Sequence, residues 1–218
     1  MKSKAILFDQ DGTLLDSAPG IKRCAQETLA KLGYPVPKAE DLNYFIGPPL
    51  SDCFRLSNVK ENDIDRALLI YRELYGGKGK YEAKPYPGLE NALSALKEKG
   101  YRLFVCTSKK GDLAIDILSH FKLDFYFEKV FGSTSDGAGA RKGEIIRRCI
   151  AYINEDIDAL MIGDTHLDAF GAKENNIPCL LVNFGYGERE KMKEAGPYAY
   201  IDSFEEIEPL YEEIYKNR

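Results

Sequence analysis

Five short runs along the chain are dominated by apolar residues: Ala5 to Phe8, Arg102 to Cys106, Lys129 to Phe131, Ala159 to Ile162 and Cys179 to Val182. Their shortness and lack of polar alternation predict strands buried on both faces, as in a parallel sheet. Between them, apolar positions recur at helical spacing. Leu89, Ala92, Leu93 and Leu96 share one stripe of a segment that ends at Gly100, a natural helix stop. Leu113 to Phe121 and Glu144 to Ile153 repeat the pattern, and Phe204, Ile207, Leu210, Tyr211 and Ile214 predict a packed terminal helix within 204–215.

Strand and helix alternate from residue 84 onward. The expected fold class is therefore α/β, a doubly wound parallel sheet with right-handed crossovers. The first strand breaks the alternation. It is followed by helical periodicity over Ile21 to Leu32, Ala39 to Phe45 and Ile64 to Tyr75, separated by YPVP, GPP and GGKGK. This predicts an α-helical cap inserted over 16–83 between two pieces of core, 1–15 and 84–218, with proline and glycine near the crossings suiting a hinge. GGKGK has no strand before it and no GK[ST] after it, so it reads as a helix terminus rather than a phosphate loop. Asp16 and Ser17 are expected to cap the first insertion helix, with Pro19 near its start. Tyr44, Phe45 and Gly47 to Pro49 form either a loop over the site or part of the cap's own core.

Composition narrows the function classes. With 218 residues, 44% apolar and 30% charged, the chain is an ordinary globular protein long enough for a core and an appendage. A net charge of -5 argues against nucleic acid or an anionic membrane as partner. No uncharged apolar stretch approaches the roughly 20 residues needed to span a bilayer, so the expected location is the cytoplasm, as a monomer or weak homodimer. Five scattered cysteines predict buried, reduced thiols. Two histidines leave little material for a zinc site or a Ser-His-Asp triad: His120 reads as structural near a helix end, and His166 as a surface residue at a helix start.

The chemistry lies just past the end of each strand, because ligands of open α/β sheets bind beyond the carboxyl ends. Asp9 and Asp11 come after the first run, Thr107 and Ser108 after the second, and Gly163 and Asp164 after the fourth, with Asp168 close behind; Lys142 starts a helix after the third. Oxygen ligands without histidine or thiolate favour Mg²⁺, which Asp9 and Asp164 can supply, and Lys142 and the Thr107 hydroxyl can neutralise a phosphate beside it. Two acids separated by one residue fit a division of labour in which Asp9 attacks phosphorus and Asp11 handles the leaving group's proton. Lys109 and Lys110 are by default a solvated run; alternatively Lys109, directly after Ser108, faces a substrate anion.

FDQDGTLLDS resembles the DxDGTxxDS signature of the haloacid dehalogenase superfamily of phosphatases. VCTS is similar to its second motif, Lys142 to the lysine of its third, and IGDTHLD to its GDxxxD fourth. The resemblance implies Asp9 as nucleophile, Asp11 as general acid/base, Thr107 as phosphate-binding hydroxyl and Lys142 as the cation steadying both. It also implies Mg²⁺ held by the side chains of Asp9 and Asp164 and the backbone carbonyl of Asp11, with Asp168 supporting. FIGPPL, YPGLENALSALKEKGYRLFVCTSK and GDTHLDAFGAKENNIPCLLVNFGYG resemble the phosphoglycolate phosphatase-like subgroup, which implies a small phosphorylated metabolite, phosphoglycolate first, with nucleoside monophosphates, pyrophosphate and sugar phosphates as alternatives. Gly143 departs from the proline or small apolar residue of many relatives. A phosphomutase of the β-phosphoglucomutase kind is disfavoured because SAPGIKRC carries no histidine, and a dehalogenase because it needs neither Asp11 nor a metal. A non-catalytic phospho-ligand-binding regulator is the remaining alternative, against which the intact set Asp9, Asp11, Lys142 and Asp164 argues.

Overall fold

The computed structural model describes residues 2–134, 139 and 141–216. The chain divides into two compact units, one of Met1–Leu15 with Pro85–Arg218 and one of Asp16–Lys84.

The first unit is built on a six-stranded sheet of spatial order β5-β4-β1-β6-β7-β8. Its strands are β1 (Ser3–Phe8), β4 (Arg102–Lys110), β5 (Lys129–Ser133), β6 (Ile157–Gly163), β7 (Cys179–Val182) and β8 (Ala199–Ile201); two-residue extended pieces, β2 (Leu15–Asp16) and β3 (Lys84–Pro85), lie where the chain passes between units. All pairings in the six-stranded sheet are parallel, and β1 is central, with Ile6 opposite Leu103 on one side and Leu160 on the other.

The near-continuous apolar runs have a direct explanation. Side chains alternate across a strand, so a strand covered on both faces needs apolar residues at every position. Ile6, Phe8, Leu103, Val105, Leu160 and Ile162 pack into one layer, together with α4 (Leu89–Glu98), α5 (Gly111–His120) and α9 (Ile207–Tyr215). Ala5, Leu7, Phe104, Cys106, Ala159 and Met161 pack into the other, with α6 (Lys142–Ile153), α7 (His166–Glu174) and α8 (Arg189–Ala195).

The second unit is helical: α1 (Ala18–Leu32), a 3₁₀ turn at Ala39–Phe45, α2 (Leu50–Leu56), α3 (Glu61–Gly77) and a 3₁₀ turn at Gly79–Tyr81. Its interior carries an aromatic chain in which Phe45 meets Phe54 at 5.1 Å, Phe54 meets Tyr71 at 6.1 Å, and Tyr71 stacks on Tyr75 at 5.6 Å. Phe45 therefore belongs to the core of this unit.

Several expectations change. Strand β8 and helices α2 and α8 have no counterpart in the apolar periodicity, because each is too short to complete a pattern. Strand β4 runs on to Lys110, past the apolar stretch that ends at Cys106. Ser17 occupies the N-cap position of α1 but has helical backbone angles and makes no side-chain capping bond; its buried hydroxyl has no hydrogen-bond partner among the described residues. The GGKGK segment is packed at its third glycine, where a Cβ on Gly79 would lie 2.3 Å from the sulfur of Cys24. All five cysteines are buried and free. No helix among the described residues is long and apolar enough to cross a membrane.

Ile6, fully buried on the central strand, offers the cleanest test of this layering. Ile6→Ala is expected to lower the unfolding free energy by about 2–5 kcal/mol, read by denaturant titration.

Candidate active site

Strand β1 delivers the first acid. The Asp9 N–H donates to the carbonyl of Ile162 at 2.9 Å, so Asp9 prolongs the ladder at the carboxyl edge of the sheet. The chain then turns back on itself, with the carbonyl of Gln10 accepting from Leu14 N–H and Leu15 N–H at 3.0 Å each. The same edge receives Thr107 from β4, Asp164 immediately after β6, and Lys142 at the start of α6.

Lys142 is the hub. Its Nζ lies 2.8 Å from Asp9 Oδ1 and 2.8 Å from Asp168 Oδ1, and it donates to the carbonyl of Cys106 at 2.9 Å. The carbonyl takes one N–H of the ammonium, and the two carboxylate oxygens balance its charge as ion pairs. The lysine can reach this point because α6 and α7 pack closely: a Cβ on Gly171 would lie 2.7 Å from Lys142 Cγ and 2.9 Å from the backbone nitrogen of Gly143. A Cβ on Gly143 would meet only the carboxylate end of Glu174, a flexible side chain that can swing aside.

Asp168, fully buried, is tied down on its other oxygen. Asp168 Oδ2 accepts from Thr165 N–H at 3.0 Å, from the Thr165 hydroxyl at 2.9 Å and from Asp164 N–H at 3.3 Å. This is the reciprocal bond of a capping box at the start of α7. Asp164, also buried, accepts from Tyr186 N–H at 2.8 Å through Oδ2, while its Oδ1 has no hydrogen-bond partner among the described residues.

Asp9, Asp164 and Asp168 each present a ligand oxygen within 4.8 Å of one another. Around them the charge is unbalanced, with three carboxylates set against the ammonium of Lys142. Burial pushes the Asp9 carboxyl up to about 6, with Lys142 pulling it down and Asp168 and Asp11 pushing it further up. Asp164 is held well above the usual carboxylate range by burial first and by Asp168 and Asp9 next. Burial works against the charge of Lys142, yet its shift is upward, because Asp168 and Asp9 together outweigh that cost. Hard oxygen donors, an unpartnered buried carboxylate oxygen and surplus negative charge all fit a divalent cation with oxygen preference.

Asp11 turns elsewhere. Its Oδ2 lies 3.2 Å from Lys109 Nζ, and its Oδ1 is buried without a hydrogen-bond partner among the described residues. Lys109 is thus shielded and ion-paired with Asp11, not one of a solvated run. Thr107 is buried, and its Oγ1 accepts from Lys109 N–H at 3.3 Å, which leaves the hydroxyl proton available to a ligand. Ser108 is half-buried on the same strand. His166 is half-buried rather than a surface residue; its ring meets Phe170 edge-on, and its Nδ1 is buried without a hydrogen-bond partner among the described residues.

Three contributors were not legible as site residues. Gly12 has a φ of +81°, and a Cβ there would lie 2.1 Å from Asp164 Oδ2. A Cβ on Gly185 would lie 2.2 Å from Asp164 Cβ, and the next residue, Tyr186, donates its backbone N–H to Asp164. The available signal was the position of FGYG directly after a strand, at the same sheet edge.

The haloacid dehalogenase-like hydrolase family matches residues 6–182. A 5'-nucleotidase from Pseudomonas aeruginosa is 39% identical over 199 residues, 89% of this chain and 89% of that protein. A phosphoglycolate phosphatase from Caulobacter vibrioides is 31% identical, covering 95% of this chain and 90% of that protein. The tyrosine-protein kinase PtkA of Mycobacterium tuberculosis is 32% identical over 85% of this chain, which spans 64% of the kinase's length. Among solved structures, a predicted phosphatase from Clostridium acetobutylicum superimposes with a TM-score of 0.86 at 38% identity, covering 99% of this chain and 100% of that one.

Removing the hub leaves Asp9 and Asp168 buried without their shared cation. Lys142→Met is expected to lower the unfolding free energy by about 3–5 kcal/mol in metal-free buffer, measured by denaturant titration.

Proposed function

The chain belongs to the haloacid dehalogenase-like hydrolase family and is a phosphoric monoester hydrolase; on that footing we propose that it is a Mg²⁺-dependent phosphatase of small metabolites working through a phosphorylated Asp9. The observation that carries the reading is the pinning of Asp9 by Lys142 at 2.8 Å beside the buried, unpartnered Oδ1 of Asp164.

Each residue has a distinct task. Thr107 and Lys142 hold the transferring phosphoryl group, the first by its hydroxyl and the second by its charge. One oxygen of Asp9 attacks phosphorus while the bond from phosphorus to the leaving oxygen breaks, and Asp11 gives that oxygen its proton. Asp11, now a carboxylate, takes a proton from water as the water oxygen bonds to phosphorus and the bond to Asp9 breaks. Inorganic phosphate leaves, and both acids return to their starting forms. Asp9 and Asp164 by their side chains and Asp11 by its carbonyl would hold Mg²⁺, with Asp168 supporting from behind. When bound, the ion supplies neutralisation of the phosphoryl oxygens.

The sequence alone placed phosphoglycolate first. The 39% identity to a 5'-nucleotidase over 89% of both chains supports a nucleoside 5'-monophosphate ahead of it, with phosphoglycolate second on the strength of the 31% relative.

Phosphate release from a panel of nucleoside monophosphates, phosphoglycolate, pyrophosphate and hexose phosphates tests the proposal. With Mg²⁺ we expect one class to be turned over well ahead of the rest, and activity to vanish with EDTA. Asp9→Asn is expected to lower kcat by more than about 10³-fold. Silence across the panel, or normal activity in Asp9→Asn, would overturn it.

A further inference from the structure

Strand β4 pairs regularly with β5 through Phe104, Val105 and Cys106, opposite Lys129, Val130 and Phe131. The register then shifts before pairing resumes at Lys110 opposite Ser133. The irregularity falls on Thr107, Ser108 and Lys109, and such a break re-aims side chains that a regular strand would have sent elsewhere. It is held by a backbone approach that admits no side chain: a Cβ on Gly132 would lie 2.5 Å from the carbonyl oxygen of Lys109 and 2.6 Å from the nitrogen of Gly111.

The consequence is an unusual lysine. The Lys109 side chain is only 10% exposed, and its ammonium lies 3.2 Å from Asp11 Oδ2. An ion pair this shielded is poorly screened by salt and can select one orientation of the carboxylate. The pair engages one oxygen of Asp11 and leaves Oδ1, buried and without a hydrogen-bond partner among the described residues, as the other.

We propose that Lys109 is a positioning residue for Asp11: its ion pair at Oδ2 holds the carboxyl group in the orientation from which it gives the proton to the leaving oxygen and later takes one from water. The inference rests on the phosphatase reading above and gives Lys109 a role different from that of a ligand for the substrate phosphate. In the first step the bond from phosphorus to the leaving oxygen breaks as the bond from Asp9 forms, and the proton passes from the Asp11 carboxyl group to the departing oxygen. An alkoxide leaving group needs that proton, whereas p-nitrophenolate departs without it.

The test compares two substrates, the alkyl monophosphate that the wild type turns over fastest and p-nitrophenyl phosphate. The quantity read is the ratio of their kcat/KM values, which reports the step that expels the leaving group. In Lys109→Met the ratio is expected to fall about tenfold or more, because misplaced proton delivery hurts only the alkyl ester. Lys109→Gln, which keeps a polar stem and removes the charge, is read in the same way should Lys109→Met not fold. Equal losses on both substrates would overturn the proposal, since they would place Lys109 on the phosphoryl group that the two esters share; an unchanged ratio would overturn it as well. A wild type that hydrolyses neither ester would instead refute the phosphatase reading itself.

Discussion

One ammonium holds the site together. Lys142 sits almost out of water between Asp9 and Asp168, with the carbonyl of Cys106 accepting a hydrogen bond from it. A buried charge of this kind is tolerable only when every donor finds an acceptor and opposite charge lies close by. Those partners come from three elements: Asp9 beyond β1, Cys106 on β4, and Asp168 in the first turn of α7. The lysine therefore records whether the whole carboxyl edge of the sheet has assembled in register. It also leaves the site with more negative than positive charge, and that surplus, together with the unpartnered oxygen of Asp164, makes a divalent cation a natural complement.

The fold supplies this geometry through close packing. The α6–α7 crossing is tight at Gly171, where a Cβ would run into the Lys142 stem and the backbone nitrogen of Gly143, and the tightness lets that stem reach the sheet edge. A similar economy surrounds Asp164, whose carboxylate is confined between Gly12 and Gly185 and fixed by the N–H of Tyr186. The helical unit has a core of its own in the Phe45–Phe54–Tyr71–Tyr75 chain.

Much of this was legible in the chain. The runs at 5–8, 102–106, 129–131, 159–162 and 179–182 fall within five of the six sheet strands, because double-sided burial leaves an uninterrupted apolar signature. The three residues of β8 carry too little pattern to announce themselves, and Thr107 to Lys110 extend β4 with polar residues that no apolar criterion detects. Ser17 stands where a capping residue belongs but makes no capping bond, since residue type states a capacity and backbone angles decide its use. Gly185 and Tyr186 stayed hidden because their contribution is the absence of a Cβ in one case and a backbone N–H in the other, neither of which depends on recognisable side-chain chemistry.

What the sequence by itself determined is the layered α/β core, the helical insertion and the inventory of acids, lysines and hydroxyls just beyond the strands, since periodicity and residue order are local properties. Only the tertiary structure decided how those groups are paired: Lys142 with Asp9 and Asp168, Lys109 with Asp11, and the unpartnered oxygens left on Asp11 and Asp164. Pairing depends on the direction in which each side chain leaves its element and on backbone approaches of a few ångströms between segments distant in sequence. Those distances exist only once the sheet and its helices have packed.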